Sequence, residues 1–202
     1  MALAEKQKLI ANIVGLVLSE QPQTDISFDW FINKHTEENF KDYFNLINEI
    51  FTSLNGDINV NQSKEKKFLK CDAFFAGKYN FFFEFDEFQH FSSSRLKTFE
   101  LYPTNLEVNF SINEWQHLCQ IYKDKADKYR KSKEAKDFKF HGGRTAQRAY
   151  LDCFRDFLPK QHGLNPTLRI NEFEVSGIEN IDEQSCKKIE LLLKKKLAKR
   201  II

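Results

Sequence analysis

The sequence predicts one domain of mixed α and β structure, with two adjacent strands near the middle of the chain and helices before and after them. A length of 202 residues suits a single domain with a continuous core. Amphipathic patterns of helical spacing alternate with short Phe-rich runs of strand character. Only seven Gly and four Pro argue against a long linker. We expect residues 1–202 to form one domain, in which a helical extension (1–35) precedes a core (36–202) that closes with a C-terminal helix.

The helices are predicted from apolar spacing and from end signals. Residues 9–18 indicate a core helix, because this apolar run is too short to span a membrane. Thr36 is a suitable N-cap for a helix that ends before Gly56. Residues 57–66 give only a weak strand signal. Three later helices are predicted at 112–131, at 144–157 before Pro159, and from about residue 182 to 200.

A β-hairpin is the strongest strand signal. Residues 68–75 and 79–85 form two Phe-rich runs joined through Gly77, so we expect them to pair antiparallel. Side chains alternate along a strand, which places Glu84 and Asp86 on one face. The hairpin brings Asp72 opposite this region, so three carboxylates converge. A further strand is predicted at residues 167–175.

Cysteine spacing and charge indicate the class of protein. The four cysteines lie far apart, with no C-x-x-C pair, which fits reduced thiols in a cytoplasmic protein that is not bound to a membrane. Residues 1–60 hold 4 Lys/Arg against 9 Asp/Glu, whereas residues 121–148 hold 10 against 4. The second segment is either a footprint for a polyanion or a solvated helical face.

Carboxylates at this spacing suit a hard divalent cation. Mg²⁺ prefers oxygen ligands, usually one or two carboxylates with water and substrate phosphate. Asp72 and Glu84 are therefore the candidate ligands of Mg²⁺ or Mn²⁺. The alternative is that Glu84 and Asp86 lie on the solvated face of an edge strand, although the flanking Phe residues favour burial on both faces.

The segment Glu84-Phe85-Asp86-Glu87-Phe88-Gln89-His90 resembles the E-x-D-x-x-Q-H motif of nucleases related to the very-short-patch-repair endonucleases, a branch of the PD-(D/E)XK superfamily. Lys70-Cys71-Asp72 is similar to the element on the preceding strand. The resemblance implies a restriction-endonuclease-like core, with a mixed sheet of about four strands flanked by helices in the order α-β-β-β-α-β. It also implies a Mg²⁺-dependent DNA endonuclease of restriction or repair type.

By this resemblance, Asp72, Glu84 and the Phe85 carbonyl bind the metal. The catalytic residues would be Asp72, Glu84, Asp86, Gln89 and His90, with Glu49 as an accessory carboxylate. A histidine near neutral pH can serve as general base. The chain departs from the superfamily pattern where no Pro precedes Asp72 and where Asp86 replaces the usual lysine. A catalytically inactive nucleic-acid-binding or assembly protein is the alternative.

The expected partner is DNA, and a homodimer is a further option. Basic side chains that would contact nucleic acid are Lys70, Arg95, Lys139, Arg144 and Arg148. For Arg148, an ion pair with Asp152 or Asp156 on its own helix is an equal alternative. The apolar residues of the last helix serve either a dimer or the domain's own core: Leu191, Leu192, Leu193, Leu197 and Ile201.

Overall fold

A three-stranded mixed sheet lies at the centre of the structure, a computed structural model that describes residues 3–129 and 131–197. Its strands are β1 (Ala73–Phe75), β2 (Phe81–Asp86) and β3 (Asn165–Asn171). Helices precede, connect and follow them. The described helices are α1 (Leu3–Leu18), α2 (Glu37–Phe40), α3 (Phe44–Ser53), α4 (Ile58–Ser63), α5 (Ser93–Glu100), α6 (Ile112–Lys128), α7 (Gly143–Gln161) and α8 (Glu183–Leu197).

The predicted hairpin is confirmed. Strand β2 occupies the middle of the sheet, antiparallel to β1 and parallel to β3. Ala73 is opposite Phe83, which brings the preceding Asp72 beside Glu84. The turn needs left-handed backbone, and Gly77 supplies it with a φ of 58°. The parallel pairing with β3 requires a long crossover, which α5, α6 and α7 provide.

The sheet has fewer strands in the described residues than the expected four. The edge of β1 is extended only by a bridge between Gln23 and Phe74, with hydrogen bonds of 2.9 and 2.8 Å. Residues 68–72 leave the sheet, because Leu69 donates its N–H to the Phe31 carbonyl instead. The weak strand signal at 57–66 was wrong: this segment forms α4, since the Asp57 side chain caps the Val60 N–H at 3.1 Å.

Two helix boundaries also differ from the predictions. Thr36 is an N-cap as predicted, but the helix breaks after Phe40, where Lys41 takes a φ of 47°, and resumes as α3. Helix α7 continues past Pro159 to Gln161. Proline removes the N–H that would bond the carbonyl four residues earlier. That carbonyl, of Arg155, instead accepts from Thr167 Oγ1 at 2.5 Å, which satisfies the freed group.

Helices cover both faces of the sheet, as the alternation along β2 predicts. Phe81, Phe83 and Phe85 point to the face covered by α1 and α8, in one apolar cluster. Phe82 points to the other face, where it packs in a cluster that includes α3, α5, α6 and α7. The N-terminal helix therefore packs on the sheet itself, with Ile10 fully buried, rather than extending from the core.

The last helix packs mainly on its own domain. Ile189, Leu193 and Leu197 are buried against α1 and the sheet, whereas Leu191 is 60% exposed. This leaves little of the predicted apolar stripe for a partner, and Ile201 lies outside the described residues. Within residues 3–129 and 131–197, no helix combines the length and the apolar character needed to cross a membrane.

Candidate active site

A cavity of about 330 Å³ lies between the C-terminal half of β2 and helix α7. Ligand sites in proteins commonly occupy such concave, partly buried positions, with a few polar groups converging. The cavity brings together four of the five predicted catalytic side chains and two of the predicted basic residues. It is lined by Gln7, Asp72, Glu84, Phe85, Glu87, Gln89, His90, Arg144, Arg148, Leu151, Asp152 and Arg155.

Asp72 and Glu84 form the acidic wall of this cavity. Asp72 directly precedes β1, and its Oδ2 accepts a hydrogen bond of 2.8 Å from the Phe85 N–H. The N–H and C=O of a residue in a strand point to the same side, so the Phe85 carbonyl also faces the Asp72 side. Glu84 is 4% exposed, and its Oε1 has no hydrogen-bond partner among the described residues. A buried carboxylate oxygen without a partner is rare and suggests a missing ligand.

Arg155 lies against Glu84. Its Nε is 2.8 Å from Glu84 Oε2, although the contact lacks hydrogen-bond geometry. The guanidinium is fixed by bonds of 3.0 Å from Nη1 to the Leu151 carbonyl and 3.0 Å from Nη2 to the Lys70 carbonyl. Burial opposes its charge, but Glu84, Asp152 and Asp72 outweigh burial and raise the pKa of Arg155 above its usual value. A fixed positive charge therefore stands beside the acidic wall.

The two carboxylates of the wall are held in an environment that disfavours their charge. Burial raises the pKa of Glu84 well above its usual value, although Arg155 acts in the opposite direction. Burial also raises the pKa of Asp72, against the hydrogen bond from Phe85 and the charge of Arg155. One arginine does not balance both carboxylates. A cation bound here would offset the cost of burying them.

The residues present fit a hard divalent cation. The Asp72 carboxylate, Glu84 Oε1 and the Phe85 carbonyl are oxygen donors at one end of the hairpin, which is the donor type that Mg²⁺ prefers. The fit rests on the partnerless oxygen of Glu84. Within residues 3–129 and 131–197, no three His, Cys, Asp or Glu side chains form a ready-made metal-binding group. The set is therefore two carboxylates and a backbone oxygen, with water and substrate left to complete it.

His90 forms a pair with Asp152 on the opposite wall. The Nδ1 atom of His90 is 3.0 Å from Asp152 Oδ2 and 3.7 Å from Asp86 Oδ1. Burial would raise the pKa of Asp152, but His90 and Arg169 outweigh burial and lower it, so the carboxylate is ionised. A carboxylate at Nδ1 favours a proton there, which leaves Nε2 as the acceptor. Such a pair suits general base chemistry.

Asp86 is placed away from the cavity, contrary to its predicted catalytic role. Its Oδ1 is 2.7 Å from Arg169 Nη1, and its Oδ2 accepts from Trp115 Nε1 at 2.7 Å. Asp86 shares the face of Glu84 as predicted, but Arg169 on β3 and Trp115 on α6 occupy that space. Its carboxylate therefore supports the wall from behind and is 1% exposed.

Arg95 is also unsuited to its predicted role. It is 2% exposed, and its Nη2 lies 2.6 Å from Asp156 Oδ2. Arg169 Nε pairs with the other oxygen of Asp156 at 2.8 Å, and Tyr102 donates its hydroxyl hydrogen at 2.6 Å. Burial would raise the pKa of Asp156, but the two arginines outweigh it and lower the pKa. Arg95 is a buried partner of this aspartate and cannot reach nucleic acid.

The other predicted residues divide between cavity and surface. Gln89 lines the cavity, where its amide donates to the Glu87 carboxylate. Glu49 is exposed, because α3 buries Ile47, Ile50 and Phe51 instead, so the accessory position was wrong. Gln7 of α1 reaches the cavity in its place.

The basic residues divide in the same way. Arg144 and Arg148 line the cavity, and Arg148 Nη1 donates to the Gln89 carbonyl at 3.3 Å. The Lys70 ammonium pairs with Asp25 at 2.6 Å on the surface. Lys139 is exposed and does not line the cavity. Only the two arginines of α7 are therefore placed to contact a substrate inside it.

Three functional residues were missed by reasoning from the sequence: Gln7, Asp152 and Arg155. Asp152 and Arg155 follow Arg148 at spacings of four and seven residues, which places all three on one face of α7. That periodicity was the available signal. Gln7 gave no signal, because only the packing of α1 on the sheet brings it to the cavity.

Comparisons with known proteins assign no family to this chain. No family model, no curated protein and no solved structure matches it. The similarity of residues 84–90 to the very-short-patch-repair nucleases therefore stays a prediction. The function has to be inferred from the geometry of the cavity.

Proposed function

We propose that this protein is a metal-dependent nuclease that hydrolyses phosphodiester bonds in DNA, with Mg²⁺ or Mn²⁺ held by Asp72, Glu84 and the Phe85 carbonyl. The observation that carries the proposal is Glu84 Oε1, a buried oxygen without a protein partner in a cavity shared with the His90–Asp152 pair. Acidic ligands, a base and arginines in one cavity are the groups that phosphodiester hydrolysis requires.

The chain's own residues divide the work between the two walls. His90 Nε2 accepts the proton of the attacking water, while Asp152 holds the ring and stabilises the imidazolium. Arg144 and Arg148 bind the phosphate oxygens, for which planar guanidinium groups are well suited. When bound, the metal supplies Lewis-acid stabilisation of the phosphate and lowers the pKa of a coordinated water.

Arg155 has a separate role beside the acidic wall. It lies where its charge balances Glu84 before a cation arrives. The usual lysine of the superfamily motif is replaced by Asp86, whose carboxylate is engaged by Arg169 and Trp115. The positive charge next to the acidic wall therefore comes from α7 rather than from β2.

A nicking assay tests the proposal. Purified protein is incubated with supercoiled plasmid in Mg²⁺, in Mn²⁺, and with a chelator. We expect nicking only with a metal, and a loss of roughly 100-fold or more in the variants Asp72→Ala and Glu84→Gln, since both remove ligand charge. The matched control is Glu100→Gln, which changes an exposed carboxylate on α5.

The outcomes separate clearly. Equal nicking by the parent, Asp72→Ala and Glu84→Gln would show a contaminating nuclease and reject the proposal. An absence of nicking on supercoiled, linear, mismatched and single-stranded DNA would reject it as well. Calorimetric titration with Mn²⁺ gives an independent reading, because Glu84→Gln should abolish the binding heat even in a preparation that cleaves slowly.

A catalytically inactive DNA-binding protein is the second candidate. The observation that favours it is the ion pair of Glu84 with Arg155, which already occupies one of the two Glu84 oxygens. In that case the cavity binds phosphate through its arginines without a metal. Salt-sensitive DNA binding, together with no Mn²⁺ heat and no cleavage, would support this candidate over the nuclease.

A further inference from the structure

The loop between α6 and α7 exposes a row of lysines close to the cavity. Lys131, Lys133, Lys136 and Lys139 are all exposed. Among the described residues, none of the four takes part in a salt bridge. Like charges close together repel unless a counter-charge is supplied. This part of the surface is therefore a concentration of positive charge that the protein itself does not balance.

The loop is joined directly to the cavity wall. The Gly142 N–H donates to the Lys131 carbonyl at 2.8 Å, and the Arg144 N–H donates to the Lys133 carbonyl at 3.1 Å. Arg144 and Arg148, one turn apart on α7, then line the cavity itself. The basic charge thus continues from the loop to the place where a reacting phosphate would sit.

A buried aspartate fixes the loop. Asp137 accepts hydrogen bonds of 3.0 Å from Asn61, 3.0 Å from Gln147 and 2.5 Å from Lys64. Burial would raise its pKa, but the bonds and charge of Lys64 lower it, so the carboxylate stays charged. Gln147 in turn accepts from the Arg144 guanidinium. The acidic residue of the loop is therefore turned inward, and the lysines remain outside on a held backbone.

We propose that this loop and the first turns of α7 form a basic track, consisting of Lys131, Lys133, Lys136, Lys139, Arg144 and Arg148, which holds the sugar–phosphate backbone of a nucleic acid strand as it enters the cavity. The inference rests on the proposed function, because that function makes the ligand a nucleic acid rather than another polyanion. Lysine contacts to phosphate carry no sequence information, so the track binds any sequence and positions it.

A binding assay without cleavage tests the track. Affinity for a short labelled oligonucleotide, single-stranded or duplex, is measured by fluorescence anisotropy over a range of salt. It is measured in chelator, and again with Mg²⁺ in a Glu84→Gln background. The loop variant carries Lys131→Gln, Lys133→Gln, Lys136→Gln and Lys139→Gln. The control variant carries four exposed lysines changed elsewhere: Lys66→Gln, Lys67→Gln, Lys78→Gln and Lys187→Gln.

Removing the loop lysines should weaken binding by at least about tenfold and flatten the salt dependence. Each duplex phosphate contact contributes roughly 0.9 to the slope of log affinity against log salt, so the slope should fall by about 3 if most of the four lysines contact phosphate. For single strands the contribution is about 0.7 each. The form that shows the larger change identifies the strand state that the track accepts. The control variant should keep the slope of the parent.

Failure of the track and failure of the proposed function give different results. Parent protein that binds neither oligonucleotide in either condition overturns the track. So does a loop variant that matches the control in affinity and slope while both melt at the parent temperature. A flattened slope in a protein that never cleaves keeps the track and rejects the nuclease. Cleavage with an unchanged slope keeps the nuclease and rejects the track.

Discussion

Changing Asp152 to Asn removes one charge from the cavity with little change in shape. The carboxylate is buried, with its Oδ2 at 3.0 Å from His90 Nδ1. Its second oxygen is 3.8 Å from Arg169 Nη2. The amide can still face His90 with an oxygen, but it no longer stabilises an imidazolium. If the amide turns round, its N–H₂ group faces Nδ1 and favours the wrong tautomer.

The expected loss follows from the role of the pair. General base catalysis contributes typically about 10²- to 10⁴-fold, and the variant keeps the imidazole but loses its orientation and its charge. We therefore expect metal-dependent nicking to slow by about 100- to 1,000-fold. This corresponds to roughly 3 to 4 kcal/mol at 1.36 kcal/mol for each tenfold change in rate.

The measurement is the initial nicking rate of Asp152→Asn as a function of pH, next to the exposed control Glu100→Gln. Because the imidazolium loses its carboxylate, the acidic limb of the pH–rate profile should move to lower pH, which a purely structural defect would not produce. Mn²⁺ binding should stay intact. A variant that folds normally and cleaves within twofold of the parent at every pH would refute the role of the His90–Asp152 pair.

Two further predictions concern the packing around the cavity. Asp156→Asn should destabilise the protein at neutral pH by about 3 to 5 kcal/mol, because it leaves two buried arginines short of a charge. Since the folded pKa of Asp156 is lowered, its contribution is present above the unfolded pKa of about 3.9 and is lost as the pH falls further, so melts of parent and variant should converge in acid. Equal differences at both pH values would contradict this assignment. Gly143→Ala should displace the basic loop, because a Cβ there would lie 1.8 Å from the Phe138 carbonyl oxygen. Unchanged hydrogen exchange in the loop of that variant would argue against the described packing.

Local patterns were enough to predict much of the fold. The alternation of Phe with acidic residues along β2 gave its two faces, and the Gly77 turn gave the pairing that puts Asp72 beside Glu84. Both depend on residues close together in the chain, whose geometry backbone sterics restrict. The helices were found for the same reason. The number of strands was not, because sheet edges depend on which distant segments pair, as Gln23 does with Phe74.

The role of each polar residue was decided by partners that local patterns cannot reveal. Asp86 and Glu84 have the same spacing pattern, yet Asp86 is engaged by Arg169, which is 83 residues away, while Glu84 keeps a free oxygen in the cavity. A buried charge takes its role from whichever opposite charge reaches it, since desolvation is costly without a partner. The sequence by itself determined where the carboxylates of the hairpin would lie. Only the packing of β3, α6 and α7 around them decided that Asp72 and Glu84 face the cavity and that Asp86 supports it from behind.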